Sequence, residues 1–125
     1  MNQEGSKIVL MPMDSLRIED RPGTRPAQRV LTLSGALVLT TVFDFQATVR
    51  ADQSQSLIID FTSVSYVDSA GIGALVGAYV TRQHNGRSLA LVGVSDRIHH
   101  ALKTTQVEQF FRFFDSVARA EQAVA

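Results

Sequence analysis

Two short apolar segments constrain the fold more than any other feature of the sequence. The segments LIIDF (residues 57–61) and SLALVGV (residues 88–94) place apolar side chains next to one another instead of alternating them with polar ones. A strand with one solvated face alternates, whereas a strand of a parallel sheet is covered on both faces. Both segments therefore predict buried parallel strands, with residues 57–61 at the centre of the sheet.

Helical periodicity appears between and after these strands. The strongest helix prediction covers residues 69–84, and Asn85-Gly86 ends it. Its apolar stripe consists of Ile72, Leu75, Val76, Tyr79 and Val80. Of these, Ile72 is expected to be partly exposed, with Leu75 and Val76 in the core.

Three further helices are predicted. One begins near Thr41, where residues 41–44 have the shape of a capping box with Asp in place of Glu. Another begins at Ser95 or Asp96, with Ile98, Ala101 and Leu102 on its inner face. The last begins at Asp115 or Ser116 and carries Val117, Ala120 and Val124.

The remaining segments complete an α/β pattern. Residues 16–19 predict a short strand, residues 21–26 a turn, residues 28–37 a second strand and residues 110–114 a last short strand. Strands that alternate with helices indicate a mainly parallel sheet. We therefore predict an α/β fold with a four- or five-stranded mixed, mostly parallel sheet, an initial hairpin and helices mainly on one face.

Length and composition exclude several classes of protein. The chain has 125 residues, which suits one domain over residues 15–125 after an N-terminal extension of residues 1–14. Twelve basic residues balance twelve acidic ones, so no nucleic-acid footprint is expected. The apolar run of residues 70–80 is too short for a bilayer. We expect a cytoplasmic protein without a membrane partner.

A cofactor loop and a metal site are also disfavoured. The segment GIGALVG, residues 71–77, departs from G-x-G-x-x-G because its last spacing is one residue too long, and no Gly-Lys-Ser/Thr follows. We interpret Gly73, Gly77 and Ala78 as positions that let the helix pack closely. Adjacent His99 and His100 point about 100° apart on a helix, and the chain has no cysteine. No metal or cofactor is therefore expected.

Ser69 does not lie in a G-x-S-x-G nucleophile motif, because Asp68 and Ala70 flank it. It instead lies where a buried strand passes into the best helix. Either Asp68 or Ser69 can be the N-cap that accepts a hydrogen bond from an unpaired helix N–H. Capping alone is a sufficient structural reason for this pair, so a catalytic residue is not predicted.

Residues 57–95 resemble the central segment of STAS domains of the anti-sigma factor antagonist family. That segment has a strand ending in Asp, the motif D-S-x-G-[LI]-G-x-L, a helix, an x-x-G turn and an apolar strand closing with Gly and Ser. The resemblance extends more weakly over residues 16–124. The matching positions are Asp60, Asp68, Ser69, Gly71, Ile72, Gly73, Leu75, Gly86 and residues 89–95.

The resemblance implies a phosphorylation switch without a catalytic residue. Ser69 is the expected phosphoacceptor of a partner anti-sigma factor that has a histidine-kinase-like serine kinase domain. The unphosphorylated chain is expected to bind that partner and free a sigma factor, and a PP2C-type phosphatase resets the switch. A homodimer is a further expectation. The implied partner-binding residues are Asp68, Ala70, Gly71, Ile72 and Gly73.

The sequence departs from the family pattern in two segments. Many antagonists carry G-E-L-D after the second strand, where this chain has Gly35-Ala36-Leu37-Val38. A glycine often ends the helix after the SLALVGV strand, at about the position of Gln106. Two alternatives remain at this point: an accessory module that binds a lipid or nucleotide, and a stressosome-like scaffold subunit.

Overall fold

The computed structural model describes residues 15–124, and the expected N-terminal extension lies outside the described residues. Its five strands form one sheet in chain order. The first two strands are antiparallel and every other neighbouring pair is parallel. The predicted α/β fold class and the central strand are confirmed. The strands are β1 (Leu16–Pro22), β2 (Gln28–Leu37), β3 (Ser56–Val67), β4 (Ser88–Val92) and β5 (Arg112–Phe114).

Helices cover the two faces of the sheet unequally. On β3, Leu57, Ile59 and Phe61 point into the core formed with α1, α2 and α3. Ile58 points to the other face, where it packs with Ala120 of α4. An apolar strand without alternation fits this arrangement because both of its faces are covered. The helices are α1 (Val42–Ala51), α2 (Ser69–His84), α3 (Asp96–Thr104) and α4 (Val117–Ala123), with a 3₁₀ turn at Glu108–Phe110.

Strands β1 and β3 are both longer than the sequence predicted. β3 continues to Val67, and beyond Asp60 it pairs with β2 alone, across two irregularities in register. Ser63 and Ser65, which follow the predicted strand of residues 57–61, therefore also lie in β3. β1 likewise extends to Pro22, into the predicted turn. Proline is tolerated there because β1 is an edge strand.

The buried face of α2 differs from the predicted stripe. Leu75 is fully buried and Ile72 half-buried, as expected, but Val76 is only half-buried and Val80 is 55% exposed. Small side chains let α2 lie against α1, and they displace the larger residues toward solvent. The buried residues are Gly71, Ala74, Leu75, Ala78 and Arg82.

The glycine interpretation was also wrong in detail. A Cβ added at Gly73 or Gly77 would meet no atom within 4 Å, so neither glycine allows a close approach. A Cβ at Gly71 would lie 2.1 Å from the carbonyl oxygen of Leu37, which is backbone and cannot turn away. Gly71 is therefore the residue that lets the start of α2 approach the end of β2.

The helix caps settle the alternatives left open by the sequence. The hydroxyl oxygen of Ser95 accepts from Ile98 N, and that of Ser116 accepts from Arg119 N, so the two serines cap α3 and α4. α3 ends with Gln106 in the left-handed region, at φ 63°. The left-handed conformation expected of a glycine is thus retained at this position by a glutamine.

Candidate functional site

Asp68, and not Ser69, is the N-cap of α2. Its backbone is extended, with φ −95° and ψ −173°, and its Oδ1 accepts from the backbone N–H of Gly71 at 2.9 Å. Its own carbonyl accepts the first helical hydrogen bond, from Ile72 N at 2.9 Å. Asp68 has this geometry because β3 ends at Val67, so the chain must change from extended to helical within one residue.

Ser69 is the first residue of α2 and is exposed to solvent. The first turn of this helix contains no acidic residue. The unpaired N–H groups at a helix N-terminus form the positive end of the helix dipole and favour a nearby anion. The position of Ser69 therefore suits the attachment of a phosphoryl group without disturbance of the core.

The other predicted site residues differ in how much they present to a partner. Gly71 is buried against Leu37, whereas Gly73 is exposed. Ala70 and Ile72 are half-buried and pack against the core. At this end of α2, Ser69, Gly73 and parts of Ala70 and Ile72 are therefore accessible, whereas Gly71 is not.

The structure adds a segment that the sequence did not connect with this site. Residues 38–41, here called the Leu39 turn, link β2 to α1. The backbone N–H of Leu39 donates to Asp68 Oδ2 at 3.1 Å. The backbone N–H of Asp68 donates to Leu37 O at 3.3 Å. The N-cap of α2 is thus bonded to the end of β2 and to the start of the β2–α1 connection, where Leu39 lies 29 residues away in the chain.

Thr41 holds the opposite side of the Leu39 turn. Its Oγ1 donates to Ala36 O at 2.8 Å and accepts from Val38 N at 2.9 Å. It makes no capping hydrogen bond to α1, so the predicted capping box does not form. The hydroxyl stabilises the turn instead, because the same oxygen can donate and accept.

The Leu39 turn presents an apolar surface. Leu39 is 62% and Phe43 69% exposed. Ala36 and Val38 are buried. No sequence signal identified Leu39, because the apolar run from Ala36 to Leu39 gives no indication of which side chain the turn directs outward.

The opposite end of α2 contains a buried cation. The Arg82 guanidinium donates to Ser88 O at 2.8 Å and Ser54 O at 2.6 Å, and pairs with Asp52 Oδ1 at 3.4 Å. Burial lowers the pKa of Arg82, and the Asp52 carboxylate opposes that shift. The group stays charged because an arginine pKa is far above neutrality. Arg82 thus bonds α2 to the loop before β3 and to the start of β4.

Other features of the described chain offer less to a ligand. Within residues 15–124, no group of three His, Cys, Asp or Glu residues is arranged to hold a metal ion. Among the described helices, none has the length and apolar character needed to cross a bilayer. A groove between α1 and α2 encloses about 180 Å³, which is less than the roughly 300–1,000 Å³ that is usual for a drug-sized ligand. A larger but more open depression of about 670 Å³ is lined by Asp20, Arg29 and Asp52 among others.

Comparison with known proteins identifies a family, and several curated relatives share the name anti-sigma-B factor antagonist. The model of the STAS domain matches residues 15–120. An anti-sigma-B factor antagonist of Staphylococcus aureus (strain NCTC 8325 / PS 47) is 35% identical over 57 residues, which cover 46% of this chain and 53% of the relative. The chain thus spans about half the length of that curated relative.

Solved structures share the fold at low sequence identity. An anti-sigma factor antagonist from Mycobacterium paratuberculosis superposes with a TM-score of 0.76 at 18% identity, covering 88% of this chain and 94% of that one. The Bacillus cell fate determinant SpoIIAA in its phosphorylated form has a TM-score of 0.66 at 15% identity, with 87% and 99% coverage. These likenesses concern the fold.

Proposed function

Because the chain belongs to the STAS domain family, we propose that it is an anti-sigma factor antagonist controlled by phosphorylation of Ser69. The observation that carries the proposal is the exposed serine at the first position of α2, directly after an aspartate that caps the helix. The partial identity with an anti-sigma-B factor antagonist supports this class of function. One neighbour in fold is itself described in a phosphorylated form.

The proposed partner is an anti-sigma factor with a histidine-kinase-like serine kinase domain. In the kinase reaction, Ser69 Oγ bonds to the γ-phosphorus of ATP while the bond from that phosphorus to ADP breaks. The hydroxyl proton leaves to a base of the kinase. A PP2C-type phosphatase hydrolyses the phosphoester and restores the hydroxyl. This chain supplies only the acceptor, so it acts as a cytoplasmic binding protein and not as an enzyme.

Release of the partner follows from charge. Phosphorylation adds about −1.5 to −2 charge beside Asp68. The helix N-terminus accommodates that charge, so the fold is retained. A partner packed against Ser69, Ile72 and Gly73 would have to desolvate the phosphate, which weakens binding. The unphosphorylated chain binds the anti-sigma factor and the phosphorylated chain releases it.

A capture experiment with three matched baits tests this function. Wild type, Ser69→Ala and Ser69→Asp are used to capture partners from the native cell, and the captured kinase is then incubated with each bait and labelled ATP. We expect Ser69→Ala to bind without being labelled, and Ser69→Asp to bind weakly. Ser65→Ala is the control and should be labelled like wild type. Equal labelling of Ser69→Ala and wild type contradicts the proposal.

The two alternative functions give different results with the same purified protein. A ligand-binding module would retain a lipid or nucleotide in native mass spectrometry. A scaffold subunit would elute as a large assembly on gel filtration, whereas the proposed homodimer would elute at twice the mass of the chain. Either of the first two results, together with failure to capture a kinase, would replace the antagonist function.

A further inference from the structure

We infer that Leu39 and Phe43 form a second part of the partner-binding surface, and that Asp68 couples this part to the phosphorylation state of Ser69. The inference rests on the proposed function, because it describes how modification of Ser69 changes what the anti-sigma factor contacts. Its basis is the pair of hydrogen bonds that Asp68 makes, one to the helix of Ser69 and one to the Leu39 turn.

Exposure identifies Leu39 and Phe43 as the contact residues. Five large apolar side chains are exposed in the described part of the chain, and these two are the most exposed of them. They lie four residues apart around the Leu39 turn, which is bonded to the N-cap of α2. Burial of a large apolar side chain by a partner favours binding, and aromatic side chains contribute most. The hydrogen bond from Leu39 N to Asp68 places the backbone of Leu39 beside the residue that precedes Ser69.

The chemistry of this surface specifies the partner. Ala36 and Val38 are buried, so the connection between β2 and α1 presents Leu39 to solvent, and Phe43 follows in the first turn of α1 beside the exposed Asp44. Apolar side chains of a partner can bury Leu39 and Phe43 favourably. We therefore expect the anti-sigma factor to contact the Leu39 turn through apolar side chains.

The carboxylate of Asp68 is shared between the two regions. Oδ1 accepts from Gly71 N in the first turn of α2, and Oδ2 accepts from Leu39 N. A phosphoryl group on Ser69 places a second anion beside this carboxylate, and its oxygens compete for the N–H groups of the same helical turn. Repulsion moves the carboxylate away from Leu39, and the hydrogen bond to the turn breaks.

The response is confined to one side of the turn. Thr41 continues to bond Ala36 O and Val38 N, because its hydroxyl bonds within the β2–α1 connection and not to Asp68. Phosphorylation thus frees the Leu39 side of the turn while the start of α1 stays in place. The partner then loses both an uncharged Ser69 and an ordered Leu39.

Amide hydrogen exchange of the full chain tests the coupling without a partner. Phosphoserine is incorporated at position 69 during expression, and exchange at Leu39 N is followed by NMR. We expect phosphorylation to speed this exchange about tenfold, as loss of a hydrogen bond to a charged acceptor implies. The reference is Ile98 N, which donates to Ser95 Oγ in a similar cap and should change by less than about twofold.

Asp68→Asn provides the matched variant. An asparagine can still cap α2 through its oxygen, but its amide nitrogen cannot accept from Leu39 N. Exchange at Leu39 should then be fast in both forms and respond to phosphorylation by less than about twofold. The coupling is overturned if wild type responds by less than that, or if Asp68→Asn responds as strongly as wild type.

Binding of the purified kinase that labels Ser69 tests the surface. Leu39→Ala and Phe43→Ala should each weaken binding about tenfold. Val80→Ala truncates an exposed apolar side chain elsewhere, on α2. This control should change the affinity for the kinase by less than about twofold. If Leu39→Ala and Phe43→Ala weaken binding no more than Val80→Ala does, then Leu39 and Phe43 are not part of the binding surface. If phosphoserine weakens binding but Leu39 exchange does not respond, the proposed function stands and the coupling fails. If phosphoserine leaves binding unchanged, the proposed function fails.

Discussion

The two ends of α2 are built in opposite ways. At its C-terminal end, the buried guanidinium of Arg82 bonds to two backbone carbonyls and to Asp52. At its N-terminal end, the half-buried Asp68 makes its two side-chain hydrogen bonds close to solvent, beside the exposed Ser69. We call these the anchored end and the open end of α2.

The difference between the ends separates stability from regulation. Hydrogen bonds at the anchored end are shielded from water, so a change there leaves polar groups unpaired in the interior. Hydrogen bonds at the open end can be exchanged for water or for a phosphate at small cost. A charge added at the open end can therefore alter the surface while the anchored end keeps α2 on the sheet.

The largest effect is expected at the anchored end. Arg82→Ala should lower the free energy of unfolding by roughly 3–5 kcal/mol, because it leaves the nearly buried Asp52 carboxylate without its cation. Urea denaturation followed by circular dichroism measures the change. Arg50→Ala removes an exposed arginine from α1 and should cost less than about 0.5 kcal/mol. Similar losses for the two variants would show that the end is not anchored through Arg82.

The next effect concerns the backbone contact at the open end. Gly71→Ala places a methyl group 2.1 Å from Leu37 O. Backbone shifts of this kind cost about 1–3 kcal/mol. Gly77→Ala is the matched control, because its methyl group meets open space on the same helix. It should raise stability by about 0.5–1 kcal/mol, since alanine favours a helix over glycine. The same sign for both variants would contradict the assigned contact.

A smaller effect distinguishes the two neighbours at the open end. Asp68→Ala removes the N-cap and should cost about 0.5–2 kcal/mol. Ser69→Ala removes an exposed hydroxyl that is not the cap, so its cost should be within about 0.5 kcal/mol. Thermal and urea unfolding of both variants measure the difference. If Ser69→Ala costs as much as Asp68→Ala, then Asp68 is not the main stabilising residue at the start of α2.

The sequence predicted those parts of the fold that depend on periodicity. The unalternating segment at residues 57–61 identified the central strand, and the span of α2 matched residues 69–84. The full length of β3 was missed because its last part follows the pairing with β2 rather than any apolar pattern of its own. Long-range pairing of this kind leaves no local signal.

The candidate site was predicted in the same uneven way. Asp68 and Ser69 were identified because a cap and its helix are adjacent in the sequence. Leu39 was missed because its link to Asp68 spans 29 residues and uses a backbone N–H, which carries no residue identity. The buried role of Arg82 was missed for a related reason, since an arginine near a helix end is usually solvated.

The smallest effect concerns how helices are closed. At the anchored end of α2, Gly86 has φ 70°, and α3 is closed by Gln106 at φ 63°. Both helices have the same pair of closing bonds: Gly86 N to Gln83 O and Arg87 N to Arg82 O in α2, and Gln106 N to Lys103 O and Val107 N to Leu102 O in α3. The geometry is that of a Schellman motif, which favours glycine at this position.

Substitutions that exchange Gly86 and Gln106 test whether the left-handed backbone alone determines how much each residue stabilises the protein. A residue with a Cβ is strained in the left-handed region, so Gln106→Gly should stabilise the protein by about 0.5–1 kcal/mol. Gly86→Gln should destabilise it by a similar amount, about 0.5–1 kcal/mol. Urea unfolding of the two single variants and of the double variant measures both effects, which should cancel in the double variant. A loss of stability in Gln106→Gly would mean that the glutamine side chain stabilises the end of α3 by more than its backbone strain costs.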